Sequence, residues 1–316
     1  MVENMSALYF YAVGGSVIWG VVNVLKKKFL TEGIHEDVVT VLFSAGCGVS
    51  ALTLEFALNG FVNVGFRMWT AAFFLPLAFT AVLNVLIQYW NVLAIKYEDV
   101  SIVAPLASTM PMFVIVISYV LLGEFPTFWG RIGIMSIAFG AYVLYLKGTE
   151  YPLPGWLGRL IPVRHHERAA FWLMPWLRLI SSRGARYALG IAYIGAVTVN
   201  FDKLAVLAAT PMLFTGLAFI FVALVIWLKS NYAGDWKSPG KAVLWKVFGM
   251  GLFMGIGAVM MNAGYLYGIV PYVGTLKRAQ ILWTIVFAWI FLKEKHAGFR
   301  LAGAVFIFAG ATLILF

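Results

Sequence analysis

Lys277 and Arg278 are adjacent cations in the stretch from Pro271 to Leu292, which carries no other charged residue. On a helix starting at Pro271 they lie about 9–10 Å along the axis, at ~1.5 Å per residue. Ionisable groups at such a depth in a bilayer cost roughly 2.5–3.5 kcal/mol on insertion scales and turn towards protein or water. Two cations in a low-dielectric hollow attract a carboxylate or a phosphate, and the arginine fork can grip either with paired hydrogen bonds. The plainer alternative is that both snorkel to a nearby interface. Asp202-Lys203 is a second charged pair, preceded by Asn200. Helical neighbours point about 100° apart, so one member suits a cavity and the other an adjoining helix. Asp202 suits a proton or an ammonium group; a buried structural pair is the competing reading.

Amides form a third set. Asn84, Gln88 and Asn91 have i, i+4, i+7 spacing and share one helix face, while Asn262 and Gln280 stand in later apolar stretches. Such side chains line a wet cavity or bridge packed helices for ~0.6 kcal/mol each. Trp19, Tyr89 and Trp90 suit an aromatic wall, although tryptophans in such chains more often form interfacial belts. Nothing resembles a catalytic constellation. The four histidines (His35, His165, His166 and His296) fall at turns or in a basic loop, and no HExxH, GxSxG or Walker A pattern occurs. The one cysteine, Cys47, excludes an intrachain disulfide and a cysteine-based metal cluster. No metal or cofactor is expected.

The elements that position these residues follow from composition. The 316 residues are 62% hydrophobic and 11% charged, with a mean hydropathy of +0.91. Soluble domains are nearer half apolar and a quarter charged, so lipid must be the solvent. The net charge of +10 then reports cytoplasmic loops rather than nucleic acid. A spanning helix needs ~20 apolar residues. That window predicts ten: 6–26, 37–58, 68–95, 100–122, 128–147, 187–209, 211–229, 243–267, 271–292 and 298–316. The third is long enough to require tilt or a break. No cleavable signal precedes the first, which ends in Lys26-Lys27-Lys28. Only one connection is long, a basic linker over 148–186; its Phe171–Ile180 stretch reads as one or two interfacial helices, interrupted at Pro175, or as an irregular loop.

The flanking parts, 1–147 and 187–316, repeat. A shift of 170 residues superposes Tyr97 on Tyr267, Val100 on Val270, Glu124 on Glu294, Gly133 on Gly303 and Gly140 on Gly310 without a gap. A slightly different shift places Asn23 and Lys26 on Asn200 and Lys203. Five helices per part is an odd number, so the second part must be inverted. Inverted repeats are the architecture of secondary transporters. The expected fold is therefore an all-α membrane protein of ten transmembrane helices in two inverted five-helix repeats. Glu124 and Glu294 are expected in turns, each capping the helix that follows. Gly133, Gly140, Gly303 and Gly310 are expected to form small-residue packing stripes. Eighteen of the 23 basic residues fall in the odd-numbered connections, leaving Arg67, Arg131, Lys203, Lys277 and Arg278 elsewhere. The positive-inside rule then puts those connections in the cytoplasm and both termini outside.

These residues also resemble a known family. Pro105 to Leu146 reads Pro-x(5)-Pro, Leu-Leu-Gly-Glu, then Gly133 and Gly140; Pro271 to Phe316 has Leu-Lys-Arg-Ala-Gln-Ile-Leu-Trp, Leu-Lys-Glu-Lys, then Gly303 and Gly310. The pattern is similar to the paired EamA repeat of the drug/metabolite transporter superfamily. Trp19-Gly20 with Asn23 and Lys26, and Asn200-Phe201-Asp202-Lys203, resemble its first- and sixth-helix patterns. The resemblance covers nearly all of the chain outside 148–185. It implies a central cavity, alternating access and a small metabolite as substrate, amino acids among the candidates, usually moved outward through the cell membrane. It also implies cytoplasmic termini, against the charge count, which is specific to this sequence and is given more weight. A Lys-Arg pair in the ninth helix resembles the phosphate-binding pair of sugar-phosphate and nucleotide-sugar translocators. Those add a basic residue in the fourth helix, where Ile102 to Val114 offers only Ser108 and Thr109. A membrane-embedded enzyme and an assembly protein are the rival classes, and proton coupling is suggested by Asp202 alone.

Overall fold

The structure, a computed structural model, describes residues 4–60, 70–98, 100–145, 172–173, 175–177, 179, 181–234, 236, 240–292 and 298–316. Every regular element among them is helical. In lipid a chain this apolar must satisfy its own backbone, and the helix does so within one segment. The elements are α1 (Met5–Thr31), α2 (Glu36–Asn59), α3 (Ala71–Tyr97), α4 (Val100–Ala107), α5 (Met110–Leu122) and α6 (Phe128–Tyr145). After the long connection come α7 (Arg183–Ala208), α8 (Pro211–Tyr232), α9 (Lys241–Ala263), α10 (Val270–Leu276), α11 (Gln280–Leu292) and α12 (Gly298–Leu313). Among the described residues seven spans are long and apolar enough to cross a membrane: α1, α2, α3, α4 with α5, α7, α8 and α9, the last extended to Leu266; α6 and α12 supply shorter apolar segments. The protein is an integral, multi-pass membrane protein.

Two expected spans differ from the sequence reading. The fourth is broken between α4 and α5, and the ninth between α10 and α11 by a 3-10 turn, Lys277–Ala279. Proline explains the first break, because neither Pro105 nor Pro111 can donate to the carbonyl one turn back. Ser108 and Thr109 bridge the gap by donating to Pro105 O at 2.7 Å and Leu106 O at 2.6 Å. α3 stays continuous despite Pro76. The starts of α4 and α10, of α5 and α11, and of α6 and α12 are each 170 residues apart.

Close packing depends on glycine. A Cβ on Gly133 would meet Gly310 O at 2.5 Å, and one on Gly140 would meet Gly303 O at 2.6 Å, so α6 and α12 run antiparallel with backbones touching. α9 lies against α1 and α2 in the same way: a Cβ on Gly15 would fall 2.6 Å from Gly257 O, and one on Gly251 would fall 2.7 Å from Phe43 O. α3 packs on α7, where Gly190 takes the Trp90 ring and Phe79 stacks on Phe201 at 5.1 Å. The largest buried cluster joins residues of both halves, among them Leu8, Phe73, Met110, Ile137, Leu213, Tyr265 and Leu276. Most of the basic linker lies outside the described residues. Trp172 stacks on Phe139 at 5.7 Å and Trp176 on Tyr142 at 6.5 Å, both against α6.

Candidate functional site

The break between α10 and α11 is where the charge enters. Lys277 opens the 3-10 turn, and its Nζ donates to Asn262 Oδ1 at 2.8 Å. The same ammonium sits over the Tyr265 ring, 4.0 Å from its centroid, where the π face attracts a cation. Asn262 is buried near the end of α9 and passes the chain on, its Nδ2 donating to Thr215 Oγ1 of α8 at 2.8 Å. Thr215 in turn donates to Pro211 O at 2.6 Å. Lys277 thus has neutral direct partners, and among the described residues no carboxylate lies within ion-pair distance of it. Arg278 turns elsewhere, its guanidinium against the Met110 sulfur at the start of α5.

Asp202 and Lys203 diverge, as their spacing on α7 requires. Asp202 accepts from Thr80 Oγ1 of α3 at 2.9 Å and attracts Lys277 through space. Lys203 donates to Glu124 Oε1 at 2.5 Å and to Gly268 O at 2.9 Å. The other oxygen of Glu124 accepts from Val270 N at 2.7 Å, the first residue of α10. Glu124 therefore caps α10 in the opposite half and not the following helix, α6. The reason is local: Thr127 Oγ1 already serves α6 by accepting from Gly130 N at 3.0 Å. Gly123, left-handed at φ 67°, turns the chain out of α5 so that Glu124 can reach across. Glu294 lies outside the described residues.

Several buried polar atoms here have no hydrogen-bond partner: Asn200 Oδ1, Tyr265 Oη, Thr275 Oγ1 and Trp283 Nε1. Asn200 spends its amide on Ala196 O at 2.8 Å, inside its own helix. Buried polar groups are nearly always paired with protein or water, so these atoms mark a region equipped to receive one or the other, or a ligand. Among the described residues no group of three His, Cys, Asp or Glu side chains is placed to hold a metal ion.

The sequence also matches a known family: the pattern of the EamA-like transporter family fits residues 6–146 and again 182–316. The chain belongs to the EamA-like transporter family. It carries two EamA repeats, and the family's members are membrane transporters of small solutes. One solved crystal structure aligns with 98% of this EamA-like chain and 95% of its own length, with a TM-score of 0.73 at 15% sequence identity, a likeness that shows the fold alone. No curated protein matches the sequence.

Of the other expected site residues, Gln280 closes the same 3-10 turn as Lys277, its backbone N–H donating to the Lys277 carbonyl, while Asn84 and Trp19 have their contacts elsewhere. Asn84 faces a separate cleft between α2, α3 and α8, which Tyr89 also lines. The side chain of Gln88 is outside the described residues. Gln280 begins α11, its carbonyl accepting from Thr284 Oγ1 at 2.7 Å. Trp19 packs on Phe219 at 6.0 Å among the residues between α1, α2 and α9. Asn23, the repeat counterpart of Asn200, donates to Thr284 Oγ1 at 3.1 Å. Sequence reasoning did not single out Thr80, Thr215 or Tyr265. The two threonines were readable as isolated hydroxyls in apolar helices; Tyr265 was hidden because tyrosine reads as apolar in a hydropathy window.

Proposed function

We propose that this EamA-like chain is a secondary transporter that moves a small acid-bearing organic solute, an amino acid among the candidates, out across the cell membrane by alternating access. The observation that carries the proposal is Lys277: a half-buried ammonium group in a helix break, held by an amide and an aromatic face, with no contacting carboxylate among the described residues. A cation so placed gains most from an anion that arrives and leaves, and a solute carboxylate is such an anion. Asp202, near enough to attract Lys277 yet bonded to Thr80, is positioned for a solute ammonium or a coupling proton.

Ten spans in two inverted repeats are the architecture we infer. It is supported by the 170-residue recurrence of the helix starts at both breaks and by the antiparallel contact of α6 with α12. Breaks at matching places in two halves are where secondary transporters bind solute. A phosphate-solute exchanger is the weaker reading, since Ser108 and Thr109 spend their hydroxyls on their own helix.

Proteoliposome transport across a panel of amino acids, organic acids and phosphorylated metabolites tests the proposal. Lys277→Ala should insert and melt as a folded protein but lose at least about tenfold in transport of the accepted solute, the scale of a lost charge-assisted contact. Unchanged transport by that variant removes the anion site. With Asp202→Asn, a normal response to a pH gradient would remove the coupling role of this carboxylate.

A further inference from the structure

α3 and α8 do not close on each other as the glycine-lined helix pairs do. α3 contains no glycine from Ala71 to Tyr97, and the one glycine of α8, Gly216, is spent on Leu52 of α2. Bulky side chains hold the seam apart instead. A cavity of ≈ 420 Å³ lies along it, walled almost entirely by carbon, including Phe74, Leu77 and Val82 of α3 and Ile220, Phe221 and Leu224 of α8. Further along the same two helices a second cavity of ≈ 420 Å³ follows, and its character changes: Glu36 and Asp37 from the start of α2, Lys229 near the end of α8, and Asn84 and Tyr89 of α3 line it. Among the described residues Glu36, Asp37 and Lys229 have no ion-pair partner, although all three border one cleft. The seam thus has an oily length and a mouth that bears both signs of charge.

We propose that this seam is a binding site for a single phospholipid with a primary-amine headgroup, of the phosphatidylethanolamine class. One acyl chain lies between α3 and α8, the headgroup ammonium meets Glu36 and Asp37, and the phosphate meets Lys229. Asn84 and Tyr89, deeper along α3, offer an amide N–H and a phenol O–H to the ester carbonyls. Charge complementarity selects the headgroup. A phosphatidylglycerol brings no cation to the two carboxylates, and a phosphatidylcholine brings a cation with no N–H to donate. A free zwitterionic solute would leave the apolar length of the seam to separate bilayer chains, whereas one phospholipid fills the seam and the charged mouth together. The seam is separate from the Lys277 site, so the proposal does not rest on the transported solute.

The full-length protein in phosphatidylcholine nanodiscs doped with either phosphatidylethanolamine or phosphatidylglycerol, followed by native mass spectrometry of the released protein, reads the lipid it keeps. The expected result is one retained phosphatidylethanolamine, held in preference to both other lipids. Glu36→Gln with Asp37→Asn should lower that preference roughly tenfold, and Lys229→Met should weaken it similarly. Val82→Trp with Leu224→Trp, which fills the apolar length, should lower retention of every lipid. Equal retention of the three lipids by the wild-type protein overturns the proposal, and needs no variant to fold. So does an undiminished preference in the Glu36→Gln, Asp37→Asn protein, or equally tight binding of glycerophosphoethanolamine, which has the headgroup and no chains.

Discussion

At the scale of the residue, the two cations that sequence makes look alike have different work. Lys203 is held by a carboxylate and a carbonyl across the halves, and both partners of the ion pair are largely buried, at 12% and 16% exposure. Lys203→Met removes one partner and strands Glu124. The expected cost is about 3 kcal/mol or more of stability, read as a lowered Tm in detergent. Lys277 is held by neutral groups, so its test is different. Asn262→Asp would place a permanent anion beside the ammonium, where the proposed solute carboxylate must go. Solute-induced stabilisation, measured as the shift in Tm on adding the accepted solute, should fall about tenfold in apparent affinity; an unchanged shift would separate Lys277 from solute binding. The sequence made the charges legible because charge in an apolar stretch is conspicuous. It did not make their partners legible, since Lys203 and Glu124 are 79 residues apart and the pairing is decided by how α5, α7 and α10 meet.

At the scale of the element, glycine spacing was legible and helix continuity was not. Seven-residue spacing identified Gly133, Gly140, Gly303 and Gly310 as packing stripes, and the structure places them backbone to backbone. A Cβ on Gly133 would lie 2.5 Å from a carbonyl oxygen of α12, so the two backbones must separate. Gly133→Ala should therefore cost about 1–3 kcal/mol in thermal stability. Gly249→Ala is the control: nothing lies within 4 Å of its added Cβ, so only the gain in helix propensity, up to ~1 kcal/mol, remains. Equal melting temperatures for the two variants would mean that α6 and α12 do not depend on contact at glycine. The breaks escaped notice because a hydropathy window averages over them. Pro105 and Pro111 are visible signals for the first. The second has no proline inside it, and we have no sequence-level account of why the 3-10 turn falls at Lys277.

At the scale of the whole molecule, charge and family resemblance imply opposite directions in the membrane. α2 and α8 cross antiparallel, since Glu55 meets Thr210 at one end while Gly48 meets Gly216 nearer the middle. This brings the start of α2 and the end of α8 to one face, and the loop after Lys28 lies on that face too. The charge count of the sequence assigns most of the basic residues to the connections on this face, so the positive-inside rule favours it inward. Family resemblance implies the reverse, with cytoplasmic termini. Single cysteines decide between them once the buried native thiol is removed by Cys47→Ala. Lys28→Cys and Phe316→Cys are exposed positions expected on opposite faces. A membrane-impermeant maleimide added to intact cells should label Phe316→Cys and leave Lys28→Cys unlabelled until the membrane is opened. The opposite pattern would put the termini in the cytoplasm and show that charge in the long basic linker had been counted towards orientation without governing it. Labelling of both sites from outside would be incompatible with the nine spans expected between Lys28 and Phe316, and would remove the ten-span topology along with the orientation.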